Sequence, residues 1–593
     1  MPTLFEALQE KTREAVQHLY QHEVAAASIQ VQLTRKEFEG ELTVVVFPFV
    51  KIARNKPEAV GEAIGQYLVA HFEPVDRFNV IKGFLNLSFK DAYWARLLHH
   101  IAGDADFTVA PSTGQTIVLE YCGPNTNKPL HLGHIRNMVI GFSMAEILAA
   151  AGHDVHKVNI YNDRGIAICK SMLAWQLYGE GETPESSGIK GDHLIGKYYV
   201  RFAQEHARQV EELVAKGMDK EKAKLEAPLQ QQAQEMLRQW EQGEPAVMEL
   251  WRTMNGWVYA GFEETYAKLG VDFEKAYYES ETYTDGRDMV YEGLEKGVFQ
   301  KRDDGSVWVD LTDNDMDEKI LLRSDGTSVY LTQDLGTAQA RYNDYQMDRS
   351  IYVVANEQEY HFKALQATLE KLGKPFADGI YHLSYGMVDL PTGKMKSREG
   401  TTVDADDLYE EMVETAAATT QELGKTAELD ADAAHALYRM IGMGALKYFL
   451  LRVNPKKRIL FDPQESIDFQ GDTGPFIQYT HARIRSVHRK WKAAGQPTGD
   501  FSGPLTAMER QLILHLYRYP QVVQEAAADY DPSHVANYTF ALAKLYNRFY
   551  ADHPILQGDN EGQQYFRVRL SALTADIISK SMKLLGIAVP EQM

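Results

Sequence analysis

Cysteine is scarce: Cys122 and Cys169 are the only two in 593 residues. Two thiols cannot build a disulfide framework, and no metal-ligand spacing surrounds them, so the chain suits a reducing compartment. Long apolar runs are missing too. The longest, Leu42–Val50, covers nine residues and includes Pro48, far too short to cross a bilayer. Positive charge is in deficit, with 62 Lys and Arg against 83 Asp and Glu, a net charge of −21. That balance excludes a protein that coats nucleic acid indiscriminately; any RNA contact must come from locally clustered cations. Internal repeats and low-complexity tracts are absent. The first segment, Pro2 to Tyr20, is amphipathic and carries Glu6, Glu10 and Glu14, unlike a signal or transit peptide. A cytoplasmic protein is expected.

What remains is an ordinary globular composition, 44% apolar and 24% charged, long enough for about three or four domains. Residues 1–110 read as a small α+β module: a helix Leu4–Tyr20, a β-branched run Leu42–Val50, a helix with Pro57 in its first turn, and a strand from Arg77 to Phe89. A polar stretch, Ile101–Gly114, suits a linker. Residues 111–455 carry an α/β pattern. Thr116–Cys122 reads as a buried strand, His131–Ala151 as a helix stopped by Gly152, and Val155–Tyr161 as the next strand, the opening of a parallel sheet. From about 180 to 245 the composition turns to Gln, Glu, Lys and Ala with helical periodicity, a helical insertion. Strands resume at Tyr277, Ile351–Ala355 and Tyr381–Val388. From about Ala433 onward the pattern is helical, and 456–593 is expected to be an all-α domain.

The most informative string is Glu120-Tyr-Cys-Gly-Pro-Asn-Thr-Asn-Lys-Pro-Leu-His-Leu-Gly-His134. It lies where a strand ends and a helix begins, the usual ligand crevice of an open parallel sheet. Two imidazoles, His131 and His134, share one face if helical. Gly133 between them leaves the backbone open to a flat group such as adenine. Helix amides and imidazoles facing a triphosphate can stabilise charge moving during phosphoryl attack. Histidines that merely cap a helix start would look the same. No third ligand follows at metal spacing, so no protein-held metal is expected.

A second string, Gly393-Lys-Met-Lys-Ser-Arg-Glu-Gly400, follows a strand and is flanked by Pro391 and Gly393 on one side and Gly400 on the other. Together the two strings resemble the paired signatures of class I aminoacyl-tRNA synthetases. The Pro124-Asn125 placement before the histidine pair is similar to the arginyl family. The class pattern has lysine where this chain has Ser397; the arginyl family often carries one before the histidine pair instead, as Lys128 stands here. The exchange is sound in charge terms, because a departing pyrophosphate needs a cation.

The resemblance covers essentially the whole chain. It implies a class I Rossmann-like α/β catalytic domain with a helical insertion, an α+β N-terminal tRNA-binding domain and an all-α C-terminal anticodon-binding domain. It implies ATP as a substrate carried with Mg2+, no tightly bound cofactor, and L-arginine and tRNA(Arg) as partners; a monomer without membrane attachment is expected. By the same resemblance Lys128, His131, His134 and Lys394 are catalytic, and Gly133, Met387, Val388 and Met395 join them around ATP. Gly123, Pro124, Asn125 and His134 are implied near arginine, with Tyr330, Asp334 and Gln358 from Ser324–Asp334 and Asn356–Phe362. Glu120 is either a second guanidinium ligand or a strand-end charge. Asp334 as an exposed helix carboxylate paired to Arg341, and Gln358 as a surface residue, are the alternatives. Phe84 and Asn86 fall on positions that stack and read an unpaired tRNA base, although Phe84 as plain core is an even alternative. Gln478, Tyr479, Arg483 and Arg485 lie in a local run of cations and aromatics suited to phosphates and bases.

Two other classes stay open at this level: an adenylating enzyme of the same fold with another amino acid or without tRNA, and an inactive relative serving as an RNA-binding module.

Overall fold

The computed structural model describes residues 3–389, 403–424, 429–499, 501, 503–557 and 560–593. It divides into two compact units, Met1–Thr108 with Ile484–Pro520 and Ala541–Ile577, and Val109–Arg483 with Gln521–Phe540 and Ile578–Met593. The helices expected after residue 456 are therefore shared between both units.

In the first unit a four-stranded antiparallel sheet has the order β1-β2-β4-β3, with β1 Val31–Leu33, β2 Leu42–Val45, β3 Val75–Ile81 and β4 Phe84–Phe89. The first helix spans Leu4–Tyr20 and starts at a Thr3–Glu6 capping box, the reciprocal bond pair that satisfies two orphan amides. The expected strand Leu42–Val50 is cut short. It ends at Val45, and Phe47–Ala53 forms a helix with Pro48 in its first turn, where a missing N–H costs nothing. The expected single strand Arg77–Phe89 is a hairpin, because Lys82 and Gly83 both take positive φ, 51° and 77°, and turn the chain.

The second unit holds a five-stranded, fully parallel sheet in the order β12-β11-β5-β6-β7. Its strands are β5 Thr116–Glu120, β6 Asp154–Tyr161, β7 Lys275–Tyr278, β11 Arg349–Ala355 and β12 Ile380–Tyr385. A small antiparallel sheet, β8 Gln300–Lys301, β9 Val307–Val309 and β10 Lys319–Leu322, sits within the β7 to β11 connection. β13 Val388–Asp389 pairs in parallel with β14 Ile459–Leu460. Helices cover the parallel sheet, and central residues such as Val118, Val158 and Leu335 are fully buried, as expected for a sheet packed on both faces. The chain proceeds outward from β5 to β6 and β7 on one side and to β11 and β12 on the other. The carboxyl ends of β5 and β11 thus form a topological switch point, where such sheets bind ligands. Between β6 and β7 the regular elements are all helices, among them Gly191–Ala215 and Pro228–Glu241 within the stretch expected as an insertion, about 180–245, and Pro245–Leu269 beyond it. No helix among the described residues is long and apolar enough to cross a membrane.

Candidate active site

The segment after β5 turns through Cys122 and Gly123, both at positive φ. It is fastened from three directions. Asn137 accepts the Cys122 amide at 2.6 Å and donates to the Val353 carbonyl at 2.7 Å. Asn159 accepts the Gly123 amide at 3.0 Å, and Asn162 donates to the Gly123 carbonyl at 3.0 Å. Asn125 forms a parallel bridge with Asn162. Gly123, Pro124 and Asn125 are thereby held at the carboxyl ends of β5 and β6.

The helix that follows spans Leu132–Ala150, so His131 is its N-cap rather than part of its face. The two histidines make a reciprocal cap. His131 Nδ1 accepts the Gly133 amide, and His134 Nδ1 accepts the His131 amide, each at 3.1 Å. Their rings lie 3.9 Å apart between centroids. With both Nδ1 atoms accepting, the ring proton stays on Nε2, a fixed neutral donor. Burial, then the Lys128 ammonium, pushes His131 down to about 4; burial, then the adjacent His131 and Lys128, which disfavour a further positive charge, lower His134 well below its usual range. A Cβ at Gly133 would stand 2.9 Å from the His131 ring, so the glycine is demanded by the cap itself. Lys128, Leu130 and His131 line a cavity of about 840 Å³ together with Tyr198 and Arg201 of the insertion.

Lys394 and Met395, like Ser397, lie outside the described residues. Their flanks do not. Buried Arg136, one turn into the same helix, donates to the carbonyls of Met387, Pro455 and Lys457 at 3.0, 3.1 and 2.7 Å. On the other flank His131 forms an antiparallel bridge with Asp404, through Leu132 N–H to Val403 O and Ala405 N–H to Leu130 O, both 3.0 Å. The described residues on either side of the second signature, Met387 and Val403–Ala405, are therefore bonded to the Leu132–Ala150 helix or to the residues just before it. Met387 is half-exposed and Val388 buried beside it.

Tyr330 opens the helix Tyr330–Tyr345 and is 80% exposed. Asp334, one turn later, binds His361 Nε2 at 2.5 Å, not Arg341. Burial opposes charge on His361, but Asp334 prevails and raises its pKa. Gln358 is exposed at the end of a single 3-10 turn. Glu120 is ion-paired to Arg341, which is fully buried between the rings of Tyr277 and Tyr352. A guanidinium does face Glu120, and it is the protein's own.

A residue that the sequence reading passed over is Glu279, which follows β7 and is buried. Burial, with Asp163 and Asp334 adding to it and Arg164 opposing, raises its carboxyl to about 7; Gln333 hydrogen-bonds to it. Its signal was available as a carboxylate at the carboxyl end of a parallel strand. Among the described residues Asp192, His193 and Asp406 could converge on a cation. Lys190 already supplies the balancing charge, 2.6 Å from Asp406 and 3.3 Å from Asp192.

Of the residues assigned to RNA, Asn86 is buried, accepting from Thr43 at 2.7 Å and donating to Asn79 at 2.9 Å. Phe84 is half-buried beside it, with the Arg35 guanidinium 5.2 Å from its ring. Gln478 is fully buried, donating to Met440 O and Ala588 O at 2.9 and 2.8 Å, so its amide ties helices together. Arg483 covers Tyr479 at 4.8 Å, and Arg485 pairs with Asp576 at 3.3 Å.

The family model for the catalytic domain of class I (R) tRNA synthetases matches residues 97–462, and that for the DALR anticodon-binding domain matches 477–593. An arginine–tRNA ligase of Amoebophilus asiaticus is 53% identical over 590 residues, 99% of each chain. One from Bacteroides thetaiotaomicron is 54% identical over 583 residues, 97% of each. In fold, the chain resembles Thermus thermophilus arginyl-tRNA synthetase at a TM-score of 0.77, with 24% identity and all of both chains covered. With one family model spanning residues 97–462 and relatives more than half identical along nearly the whole chain, the chain belongs to the arginyl branch of the class I tRNA synthetases.

Proposed function

We infer that the protein activates L-arginine with ATP and transfers it to the terminal ribose of tRNA(Arg). The observation that carries this reading is the likeness along nearly the whole chain to arginine–tRNA ligases more than half identical to it, and the reciprocal histidine cap at the carboxyl end of β5 supports it. An arginine carboxylate oxygen attacks the α-phosphorus in line, the bond to the bridging oxygen breaks, and pyrophosphate leaves; a ribose hydroxyl then attacks the adenylate carbonyl and AMP departs. No covalent enzyme intermediate is needed. Catalysis is positioning with electrostatic stabilisation.

In this scheme the neutral Nε2–H donors of His131 and His134 meet the phosphate oxygens, and Lys128, whose charge the pair already senses, neutralises the departing pyrophosphate. ATP enters as its magnesium complex, with Gly133 and the Met387–Val388 edge beside the adenine and Lys394 and Met395 contributing from the second signature. Gly123, Pro124, Asn125 and His134 hold the amino-acid end of arginine. Asp334, Tyr330 and Gln358 hold its side chain, and Glu279 takes the place of the second carboxylate because Glu120 is engaged by Arg341. Phe84, Asn86, Tyr479, Arg483 and Arg485 belong to the tRNA side. The domain division 1–110, 111–455 and 456–593, a monomeric state and a cytoplasmic location complete the reading.

The test is aminoacylation of a total tRNA pool with each of the twenty labelled amino acids. Charging by arginine alone is expected; charging by another amino acid, or none, overturns it.

A further inference from the structure

His131 is bracketed by a turn far along the chain. Leu132 N–H donates to Val403 O and Ala405 N–H to Leu130 O, both at 3.0 Å, one bond on each side of the histidine. Residues 403–405 lead into the helix Ala405–Glu422. Its N-cap is Asp404, which accepts the amides of Asp406 and Asp407 at 2.8 and 3.3 Å. Whatever holds the start of this helix therefore also sets the backbone around His131.

Asp406 supplies that hold. Its carboxylate is buried. It accepts from Lys190 at 2.6 Å, Lys268 at 3.1 Å and the Thr265 hydroxyl at 3.2 Å, and His193 Nε2 stands 3.3 Å away. These four groups come from two helices of the β6–β7 connection. Lys190 and His193 lie at the start of Gly191–Ala215, and Thr265 and Lys268 at the end of Pro245–Leu269. The two helices are in close contact, since a Cβ at Gly191 would run into the Trp257 carbonyl and one at Gly261 into the Asp192 carboxylate. Lys190 also ties them directly, donating to Thr265 Oγ1 at 2.6 Å. Other anions approach the same cations: Asp192 stands 3.3 Å from Lys190, Asp404 3.4 Å from His193 and Glu410 3.5 Å from Lys268. Burial works against charge on Asp406, but His193, Lys190 and Lys268 outweigh it and hold the carboxyl well below the usual range.

We propose that Asp406 is a positioning residue for the His131–His134 pair, and that the helices between β6 and β7 are the platform to which it fastens the turn beside His131. A buried charge cluster adds little net stability over apolar packing of the same volume; here it fixes a geometry. Asp406 touches no substrate and acts through the Val403–Ala405 backbone. The proposal rests on the ligase reading above for the reaction the pair serves, whereas the geometry at His131 stands apart from it.

The test is Asp406→Asn, which keeps the shape and removes the charge, beside Thr265→Val, a milder change that removes one donor. Three quantities are measured: arginine-dependent ATP–pyrophosphate exchange with a total tRNA pool present, the urea midpoint, and the nitrogen-15 resonances of the two imidazoles, assigned with His131→Gln and His134→Gln. A misplacement of about 1 Å costs on the order of a hundredfold, so kcat should fall by about that factor in Asp406→Asn and by less in Thr265→Val. KM for arginine stays near the parent value, and the Nδ1 resonances move as the cap loosens. Adding Lys190→Gln to Asp406→Asn removes a cation left bare, so the urea midpoint should recover while kcat stays low. A folded Asp406→Asn protein with the parent kcat overturns the proposal. So does a double variant whose kcat recovers together with its stability, which assigns the cluster to folding alone. If Asp406→Asn does not fold, Thr265→Val decides by the same readings, and a parent kcat there overturns the proposal. A wild-type protein without arginine-dependent exchange overturns the ligase reading instead; the imidazole resonances then decide the positioning role, and unmoved resonances overturn it.

Discussion

Replacing Arg136 by Met removes the clamp between the first-signature helix and the foot of the second signature. Three carbonyls lose a charged donor, but not equally. Met387 O keeps the Ile459 amide and Pro455 O keeps the Gly386 amide, whereas the shortest bond, to Lys457 O, has no such backbone substitute among the described residues. A hydrogen bond lost where the acceptor retains a partner costs about 1 kcal/mol, and the short charge-assisted bond to the partly buried Lys457 carbonyl costs about 2. The sum is about 4 kcal/mol, from which the apolar replacement recovers about 1, since burial already works against the guanidinium and holds its pKa down near 10. A net loss of about 3 kcal/mol should be visible in urea unfolding followed by circular dichroism. Because the Met387 foot would be freed, arginine-dependent ATP–pyrophosphate exchange should fall mainly in kcat, with a smaller rise in the KM for arginine. Arg136→Lys, which keeps a cation with less reach, should recover part of both. An Arg136→Met protein with the parent urea midpoint and exchange rate would refute the clamp.

Asp334→Asn keeps the shape but removes the charge proposed to face the arginine side chain; KM for arginine should rise by roughly two orders of magnitude or more, with that for ATP little changed. Equal effects on both substrates would assign Asp334 to holding His361. Glu279 titrates near 7, so KM for arginine should fall roughly tenfold between pH 6 and 8 as the carboxylate ionises, and Glu279→Gln should abolish that dependence. The sign for stability is opposite. A carboxyl raised in the folded state holds its proton longer there, so this group's contribution is full below about 4.5 and is lost as pH rises through about 7. Lys128→Ala should slow adenylate formation by roughly two to three orders of magnitude while tRNA affinity stays near normal; an active Lys128→Ala enzyme removes the lysine from the mechanism.

Local rules made the strand–loop–helix start legible. A buried β run, a Gly-Pro-Asn turn and a histidine pair set it within a residue or two of Thr116–Glu120 and Leu132–Ala150. The N-terminal hairpin was missed although Lys82-Gly83 offered a turn, because both halves share one β-rich composition. Leu42–Val50 was over-extended for the same reason, with Pro48 as the neglected stop. The site's partners were less visible. Glu120 meets Arg341 and Asp334 meets His361 across folded distances that no periodicity encodes. Gln478 sits in a cationic, aromatic stretch yet points inward to Ala588, since one helix carries both a solvent face and a core face. Arg136 gave no signal at all: its role exists only once β13 and the Pro455–Lys457 segment come alongside.

The order of strands in the parallel sheet has a consequence for how the chain acquires its shape. β5 finds β6 after one helix, but its other neighbour, β11, begins only at Arg349, beyond the helical insertion and the small antiparallel sheet. During synthesis the β5–β6 edge must therefore wait, unpaired on one side, for much of the domain to follow. Closing such a long loop is entropically slow, and an open apolar strand edge invites pairing with other chains meanwhile. The first signature leaves β5 at that late seam, so the proposed active-site crevice is among the later parts of the parallel sheet to close, and conditions that delay synthesis between Lys275 and Arg349 should raise aggregation before they lower the activity of the molecules that finish.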